Sequence, residues 1–526
     1  MTNSINEIAE ADCILAIGTN TTAAHPVLAL RIKDAVKAGG KLIVANPKRI
    51  DLVRYADLFL QLRPGTDVAL LMGIMRVIVD EGLHDEAFIA ERCENWEAFE
   101  ESLADFGPDV VEEVTGVPAH KIAQAARLYA SAGVASILYT MGITQHSHGT
   151  DNVMATANLA MLTGNVGKPS SGVNPLRGQN NVQGACDMGG LPNVYPGYQA
   201  VTIPAVQNKF QEAWGSVHSN TVGLTHTEIF DAICEGQVKA LYMVGENPVL
   251  SEANANHVHE ALEKLDFLVC QDLFLTESAQ YADVVLPAVS FAEKDGTFTN
   301  TERRVQRVRK AIPPLGDARP DWWIVSQIAQ RMGAAGFEHS GPSEIMDEIA
   351  TLTPIYGGIS YKRLDGAGLQ WPCPTPEHPG TQFLHQGRFS RGVGRFMPLS
   401  YKPSAELPDA DYPLLLTTDR SLYHYHTSTM TRRVKGLEEL DDRELLRIND
   451  RDAVRFGLAH GERVKVSSRR GEMTAEVDVT DICPPGVVSM TFHFAESPTN
   501  VLTSSALDPI AKTPETKVCA VKVEPV

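Results

Sequence analysis

Short apolar runs alternate with longer amphipathic ones along the first part of the chain. CILAIG (13–18), KLIVAN (41–46) and DLFLQL (57–62) have the length and branching of buried strands. Between the first two, HPVLALRIKDAVKAGG (25–40) predicts a helix, with proline near its start and glycine after its end. RPGTD (63–67) then opens a long apolar helix. Strand, helix, strand in this order predicts a mostly parallel sheet with helices on both faces.

The same pattern returns much later. ILAIGTN (14–20) and LYMVGEN (241–247) are apolar strands ending in Gly-x-Asn, and YADLFLQL (55–62) and YADVVLPA (281–288) are strands introduced by Tyr-Ala-Asp. Gly18 and Tyr55 stand 37 positions apart, Gly245 and Tyr281 36. Two matched landmarks at nearly equal spacing suggest a duplicated unit, although buried parallel strands also resemble one another for packing reasons alone. From Tyr361 to Asp411 the chain is rich in proline and glycine, as in KRLDGAGLQWPCPTPEHPG, and reads as a long linker or wrapping segment. After it, YPLLLTT, GERVKVSSRRGEMTAEVDVT and GVVSMTF are short β-branched runs broken by turns, which predict a small β-barrel. The expected division is a first α/β domain over 1–150, a second over 151–355, a linker over 356–410 and a barrel over 411–526.

At 526 residues the chain exceeds what one compact core holds, in keeping with several domains. A formal net charge of −19 argues against nucleic acid or an anionic membrane as the main partner. Any bound anion must therefore be met by local donors. The start, MTNSINEIAEADC, has neither the basic nor the apolar region of a secretion signal, and no run approaches the ~18 apolar residues of a membrane span. The 8 cysteines are scattered, with no C-x-x-C. That spread favours isolated thiols in a reducing, cytoplasmic setting and provides no standard cysteine-ligated iron–sulfur or zinc motif.

In open parallel sheets, ligands sit beyond the carboxyl ends of the strands. Four polar loops occupy that place: GTNTTAAHP (18–26), ANPKR (45–49), RPGTD (63–67) and GENPVLSEAN (245–254). None matches G-x-G-x-x-G, so an ordinary dinucleotide fingerprint is absent. Gly65-Thr66-Asp67 nevertheless opens a helix, where unpaired N–H groups favour a phosphate; a plain N-cap is the equally good bland reading. Asp272 and Asp419 could accept from a purine amino group, or could be surface or capping residues. Histidines cluster in TQHSHGTDN (144–152) and SLYHYHT (421–427), where hydrogen bonding to a polar ligand is favoured over direct metal ligation. No G-x-S-x-G supports a serine hydrolase.

The most unusual stretch is NPLRGQNNVQGACDMG (174–189). Between Leu176 and Met188 its one large aliphatic side chain is Val182, too little to bury a hydrophobic face as a helix or strand. Its arginine among side-chain amides suits a small carboxylate, which Arg177 could grip through two parallel hydrogen bonds. A self-satisfied polar loop tying two domains together is the alternative. By spacing alone the chain is an α/β protein that binds a large anionic cofactor.

Several of these segments together resemble the molybdopterin oxidoreductase family, in particular formate dehydrogenase catalytic subunits. The resemblance is carried by GTN (18–20), RPGTDVALL (63–71), GITQHSHGTDNVMATANLAMLTGNVGKPSSGVNPLRGQNNVQGACDMG (142–189), GENP (245–248), ADVVLPA (282–288), EKDGTFTNTERRVQ (293–306), YHYHTSTMTRR (423–433) and KTPETKVCAVKVEP (512–525). It implies two related doubly wound parallel-sheet domains and a C-terminal barrel of double-psi type. It also implies bis(molybdopterin guanine dinucleotide), bis-MGD, carrying molybdenum or tungsten, with one dinucleotide for each α/β copy. Carried over residue by residue, Gly18, Asn20, Asn46, Pro47, Gly65 and Asp67 line one dinucleotide, with Gly142 and Gln145 nearer its pterin. Gly245, Glu246, Gln271, Asp272 and Thr276 line the other. From the barrel, Arg420, His424, Tyr425, Thr427, Asn500 and Lys517 contact the cofactor. Arg177 orients formate, and Gln179 follows it in the same pocket.

The family also carries a four-cysteine [4Fe–4S] motif, then a cysteine or selenocysteine that ligates the metal, with a histidine beside it. None of these occurs in this sequence, and Cys186 does not match the ligand position. The expectation is that such a segment lies upstream of Met1 in a longer gene, with no metal ligand in the 526 residues themselves. Electrons would pass to an electron-transfer subunit or carrier of the NAD-linked diaphorase or ferredoxin type. A nitrate or other oxyanion reductase of the same family, and an inactive cofactor-binding shell, remain the alternatives.

Overall fold

The computed structural model describes residues 1–216 and 218–526. They form two compact units, one of residues 1–176, 248–258 and 383–526, the other of residues 177–247 and 259–382.

In the first unit, β1 (Cys13–Ile17), β2 (Lys41–Ala45), β3 (Leu58–Leu60), β4 (Ala135–Tyr139) and β5 (Gly172–Pro175) make a parallel sheet in the order β3-β2-β1-β4-β5. All five residues of β1 and all five of β4 are buried. This is why they read as continuous apolar runs: a parallel sheet covered on both faces has no polar side. Helix α1 (Pro26–Lys37) buries Leu28, Ala29, Ile32 and Ala35 and leaves Val27 and Leu30 exposed, the one-sided pattern of a surface helix. Helix α2 (Asp67–Asp80) is buried nearly all round, and α3 (Gly149–Leu162) packs on it. The strand order reverses between β1 and β4, so the crevice at a topological switch point opens beyond Ile17 and Tyr139.

The proline- and glycine-rich stretch divides between the units. Beyond Phe383 it packs on the first sheet's core: Phe396 is fully buried and stacks on Phe99 at 4.8 Å. Asn158 of α3 donates from Nδ2 to the Met397 carbonyl at 2.8 Å and accepts from the Met397 amide at 3.1 Å.

The second unit begins at Arg177. Helix α4 (Val182–Asp187) runs through the polar stretch, which therefore does form a short helix. Hydrophobic periodicity could not reveal it, because two of the side chains it buries, Gln183 and Asp187, are polar. Strands β6 (Ala240–Val244), β7 (Phe267–Asp272) and β8 (Val284–Pro287) form a parallel sheet in the order β8-β7-β6, and β9 (Gly296–Thr299) pairs antiparallel with β10 (Arg304–Val308).

The C-terminal part of the first unit is a closed six-stranded barrel of β11 (Leu414–Thr418), β12 (Leu445–Ile448), β13 (Arg463–Ser467), β14 (Glu472–Val479), β15 (Val487–Met490) and β16 (Cys519–Pro525). Two of its pairings, β11 with β15 and β12 with β14, are parallel. Leu416, Leu446, Ile448, Val464, Val466, Val488 and Val521 fill its centre. The fold is thus two related parallel-sheet copies and a C-terminal barrel, as expected. All eight cysteines are free thiols.

Candidate functional site

At the switch point the backbone turns sharply. Gly18 has φ +56°, and a Cβ there would lie 2.8 Å from the Gly142 carbonyl carbon. The Gly18 carbonyl accepts from the Gly142 amide at 3.1 Å and from the Thr140 hydroxyl at 2.8 Å. The loops after β1 and β4 can therefore touch only because neither carries a side chain there.

Around this contact the first unit gathers polar groups at the helix entrances and the barrel edge. His146 is buried; its Nε2 donates to the Gly142 carbonyl at 2.8 Å, and it lies 3.8 Å from Asp67 and 3.9 Å from Glu515. Burial, aided by the neighbouring His148, pushes its pKa down to about 3, so the ring is neutral. Burial pushes the Asp67 carboxyl up to about 7. Glu515 accepts from the Ser147 amide and hydroxyl through one oxygen and from the Ala405 amide through the other.

Cations stand further along the barrel edge. Lys48, buried, pairs with Asp419 and donates to the Ser489 hydroxyl at 3.0 Å. Burial pushes the Asp419 carboxyl up, but the Lys48 charge and hydrogen bond hold it below the usual carboxylate range. Lys517 donates to the Thr418 carbonyl at 2.8 Å, and burial brings its ammonium down to about 7. A cavity of about 660 Å³ opens here, lined among others by Asn20, Lys48, Arg49, Arg54, Asp419 and Arg420. It has room for a nucleotide, and its basic side chains outnumber its carboxylates.

Of the expected residues in this unit, Asn20 and Arg420 line the cavity, and Asn46 accepts from the Lys48 amide at 3.0 Å. The Pro47 carbonyl accepts from Gln61, and Gly65 lies against Ser404. Gln145 follows the Gly142 turn, its amide bonded to the Met141 carbonyl at 2.9 Å. In the barrel loops, both ring nitrogens of His424 have protein partners, the Thr431 hydroxyl and the Asp441 carbonyl, so this imidazole holds its own loop. The Tyr425 amide donates to Thr431, and the Thr427 hydroxyl meets Thr429 at 3.0 Å. Asn500 donates to the Leu250 carbonyl at 2.8 Å.

The second copy brings its expected residues to the ends of β6 and β7. Gly245 has φ +64°, with Glu246 next in the turn. Gln271 is buried, accepts from the Tyr242 hydroxyl and donates to Asp321 at 2.8 Å. Asp272 accepts from the Leu273 amide at 2.6 Å, and the buried Thr276 accepts from the Ala279 amide at 3.2 Å.

Arg177 is exposed, its amide donating to the Thr301 hydroxyl at 3.0 Å and its Nε to the Gln183 carbonyl oxygen at 3.4 Å. Gln179 is half-buried two residues on. Sequence reasoning missed Lys48, Gln183, Asp187, Ser404 and Glu515, and reached His146 only as part of its histidine cluster. Four of the five missed residues lie inside segments singled out in the sequence; Ser404 had no signal, because nothing in KPSAEL marks it.

A parallel sheet with a glycine-lined switch point, a basic nucleotide-sized cavity and a closed barrel defines a dinucleotide-cofactor protein. Residues 1–331 match the family described as "Molybdopterin oxidoreductase", and residues 414–520 the "Molydopterin dinucleotide binding domain". The chain belongs to the molybdopterin oxidoreductase family. It is 49% identical to "F420-dependent formate dehydrogenase 2 subunit alpha" of Methanococcus maripaludis, covering 100% of this chain and 78% of that protein. It is 40% identical to "Formate dehydrogenase H" of Escherichia coli, covering 100% of this chain and 74% of that one. The structure resembles acetylene hydratase from Pelobacter acetylenicus with a TM-score of 0.75 at 21% identity, over 99% of this chain and 81% of that one, a likeness of fold alone.

The residues present fit the molybdopterin dinucleotide of this oxidoreductase family, with molybdenum or tungsten. Thr19 Oγ1, His146 Nδ1, Ser404 Oγ and Thr516 Oγ1 are buried polar atoms with no protein hydrogen-bond partner, beside the switch-point loops or the barrel edge. Buried polar groups are otherwise almost always paired, so these are open to a polar ligand. Among the described residues no helix is long and apolar enough to cross a membrane.

Proposed function

We propose that the chain is the catalytic subunit of a formate dehydrogenase, oxidising formate to CO2 with release of a proton and two electrons, or running the reverse. The observation that carries this reading is the polar helix after Arg177, which offers a guanidinium to a small carboxylate within a chain whose relatives at 40–49% identity are named formate dehydrogenases. The bound metal and dithiolenes supply the two-electron chemistry. Arg177 binds the formate carboxylate through paired N–H groups, which turns the C–H bond away from the guanidinium. Gln179 adds an amide contact in the same pocket.

Gly18, Asn20, Asn46, Pro47, Gly65, Asp67, Gly142 and Gln145 hold one dinucleotide in this reading, and Lys48, Arg420 and Lys517 meet its phosphates. Gly245, Glu246, Gln271, Asp272 and Thr276 hold the other, and His424, Tyr425, Thr427 and Asn500 frame the cofactor from the barrel side. Electrons leave through a partner subunit or carrier, with a [4Fe–4S] cluster of the family as the relay. The names of the 49%-identical relatives, F420-dependent formate dehydrogenases, favour F420 as acceptor over the NAD-linked or ferredoxin type, and cytoplasmic placement accompanies either.

The test is formate-dependent dye reduction by the metal-loaded enzyme. Arg177→Ala is expected to cut kcat/KM by about a thousandfold or more, as for loss of a charged hydrogen-bonded clamp, while metal content stays near that of the wild type. Metal lost together with activity would make Arg177 structural. Turnover of nitrate rather than formate by the wild type would favour the oxyanion-reductase reading.

A further inference from the structure

Behind Arg177 lies a buried carboxylate that no part of the proposed reaction uses. Asp187, at the end of α4, is fully buried. Its Oδ1 accepts from Gln183 Nε2 at 2.9 Å and from the Tyr198 hydroxyl at 2.8 Å; its Oδ2 accepts from the Tyr356 hydroxyl at 2.6 Å and from Trp371 Nε1 at 2.7 Å. Gln183 lies on the same helix, and the other three donors come from separate segments of the second unit. Trp371 is itself held by the buried Arg303, which donates to its carbonyl and, at 3.1 Å each, to those of Thr381 and Gln382. Burial raises the Asp187 carboxyl above its ordinary value, with the four hydrogen bonds pulling against that.

Gln183 stands between this carboxylate and Arg177. Its NH2 faces Asp187 and its carbonyl oxygen faces Arg177 Nε. A carboxylate only accepts and a guanidinium only donates, so a glutamine between them satisfies both in a single orientation. We infer that Asp187 is a positioning residue for the substrate arginine: it locks the Gln183 amide, and the locked carbonyl fixes the direction in which Arg177 presents its guanidinium. The Nε–H is tied back to Gln183, which sets the plane of the guanidinium. A helix that buries polar rather than apolar side chains is the structure such a relay requires.

This inference rests on the formate reading for its kinetic consequence, but its geometry can be tested apart from turnover. In the 526-residue chain, an arginine-directed dicarbonyl reagent is followed at Arg177 by peptide mass spectrometry. Gln183→Leu, which leaves Asp187 three of its donors, is expected to raise the labelling rate several-fold, and Asp187→Asn to do the same. In the metal-loaded enzyme both variants are expected to raise the KM for formate about tenfold, the value of a hydrogen bond to a charged group, with a smaller fall in kcat. Tyr356→Phe, which takes a donor from the other carboxylate oxygen, is expected to give a smaller KM increase. Unchanged Arg177 labelling in Gln183→Leu overturns the relay, whether or not Asp187→Asn folds. A wild-type enzyme that does not turn over formate overturns the functional reading, while the labelling result still decides the relay.

Discussion

The two parallel-sheet copies share their local architecture and differ in what surrounds it. In both, the Tyr-Ala-Asp carboxylate accepts from the second strand's amide: Asp57 from Leu42 at 3.0 Å, Asp283 from Leu268 at 2.7 Å. In both, the aspartate amide bonds back to the same residue's carbonyl at 2.9 Å. The glycine ending the first strand also repeats its bond, Gly18 to the Ala45 carbonyl at 3.0 Å and Gly245 to the Gln271 carbonyl at 2.9 Å. Yet β1 is buried throughout, while β6 leaves Ala240, Tyr242 and Val244 exposed. The repeated letters thus secure the backbone of the turn; the cost of changing them is set by what packs against it.

Gly18 and Gly245 put this to the severest test. Both have positive φ, but nothing lies within 4 Å of a Cβ at Gly245, whereas one at Gly18 would press on the Gly142 backbone. Gly245→Ala is expected to cost about 1–2 kcal/mol, the left-handed strain alone. Gly18→Ala adds overpacking against backbone and should cost about 3 kcal/mol or more. Denaturant unfolding with hydrogen exchange followed separately in each unit measures both. Equal losses would mean that the turn alone, and not its surroundings, decides.

The aspartates should differ less. Asp57→Ala and Asp283→Ala each leave a strand N–H without its side-chain acceptor, at about 1–2 kcal/mol apiece. They separate by pH. Asp57 also takes a hydrogen bond from Lys41 at 2.9 Å. Burial pushes its carboxyl up, but Lys41 and the Leu42 amide outweigh that and hold it below the ordinary value. A depressed carboxylate contributes stability that is present above its unfolded pKa and lost as pH falls through the folded one. Acid melts of the wild type should therefore fall away below pH about 4 in a component that Asp57→Asn lacks. An identical acid slope in the variant would show that Lys41 adds nothing to the first copy.

Such contrasts mark how far the sequence could be read. Strands β1, β2 and β3, the switch-point loops and the duplication were legible because buried strands and Tyr-Ala-Asp turns are local signals. Arg177 was legible as chemistry out of place in an apolar chain. Asp187 was not, although it lay in the same quoted stretch. Its meaning comes from Tyr198, Tyr356 and Trp371, which the chain brings to it from 11, 169 and 184 positions away. Lys48 and Glu515 were passed over for the same reason, since a charge in a loop has no sign of its partner until the fold provides one.

The smallest effect tests whether the copies differ in charge as well as packing. The first gathers Lys48, Arg420 and Lys517 around Asp419, while the second copy carries Glu246, Asp272 and Glu277 at and beyond the ends of β6 and β7. A guanosine diphosphate should therefore settle on the first, and about ten times its Kd should raise the thermal midpoint by about 3 °C. Burial lowers the Lys517 ammonium to about 7, so phosphate binding should draw a proton onto it and the shift should shrink between pH 6 and pH 8. With the nucleotide absent, a lysine depressed in the fold costs stability as pH falls from its unfolded value near 10.5 towards 7, and adds no further cost below that. Lys517→Met removes both slopes at once. A nucleotide shift that stays constant across this pH range in the wild type would take Lys517 out of the phosphate site and leave Lys48 and Arg420 to carry it.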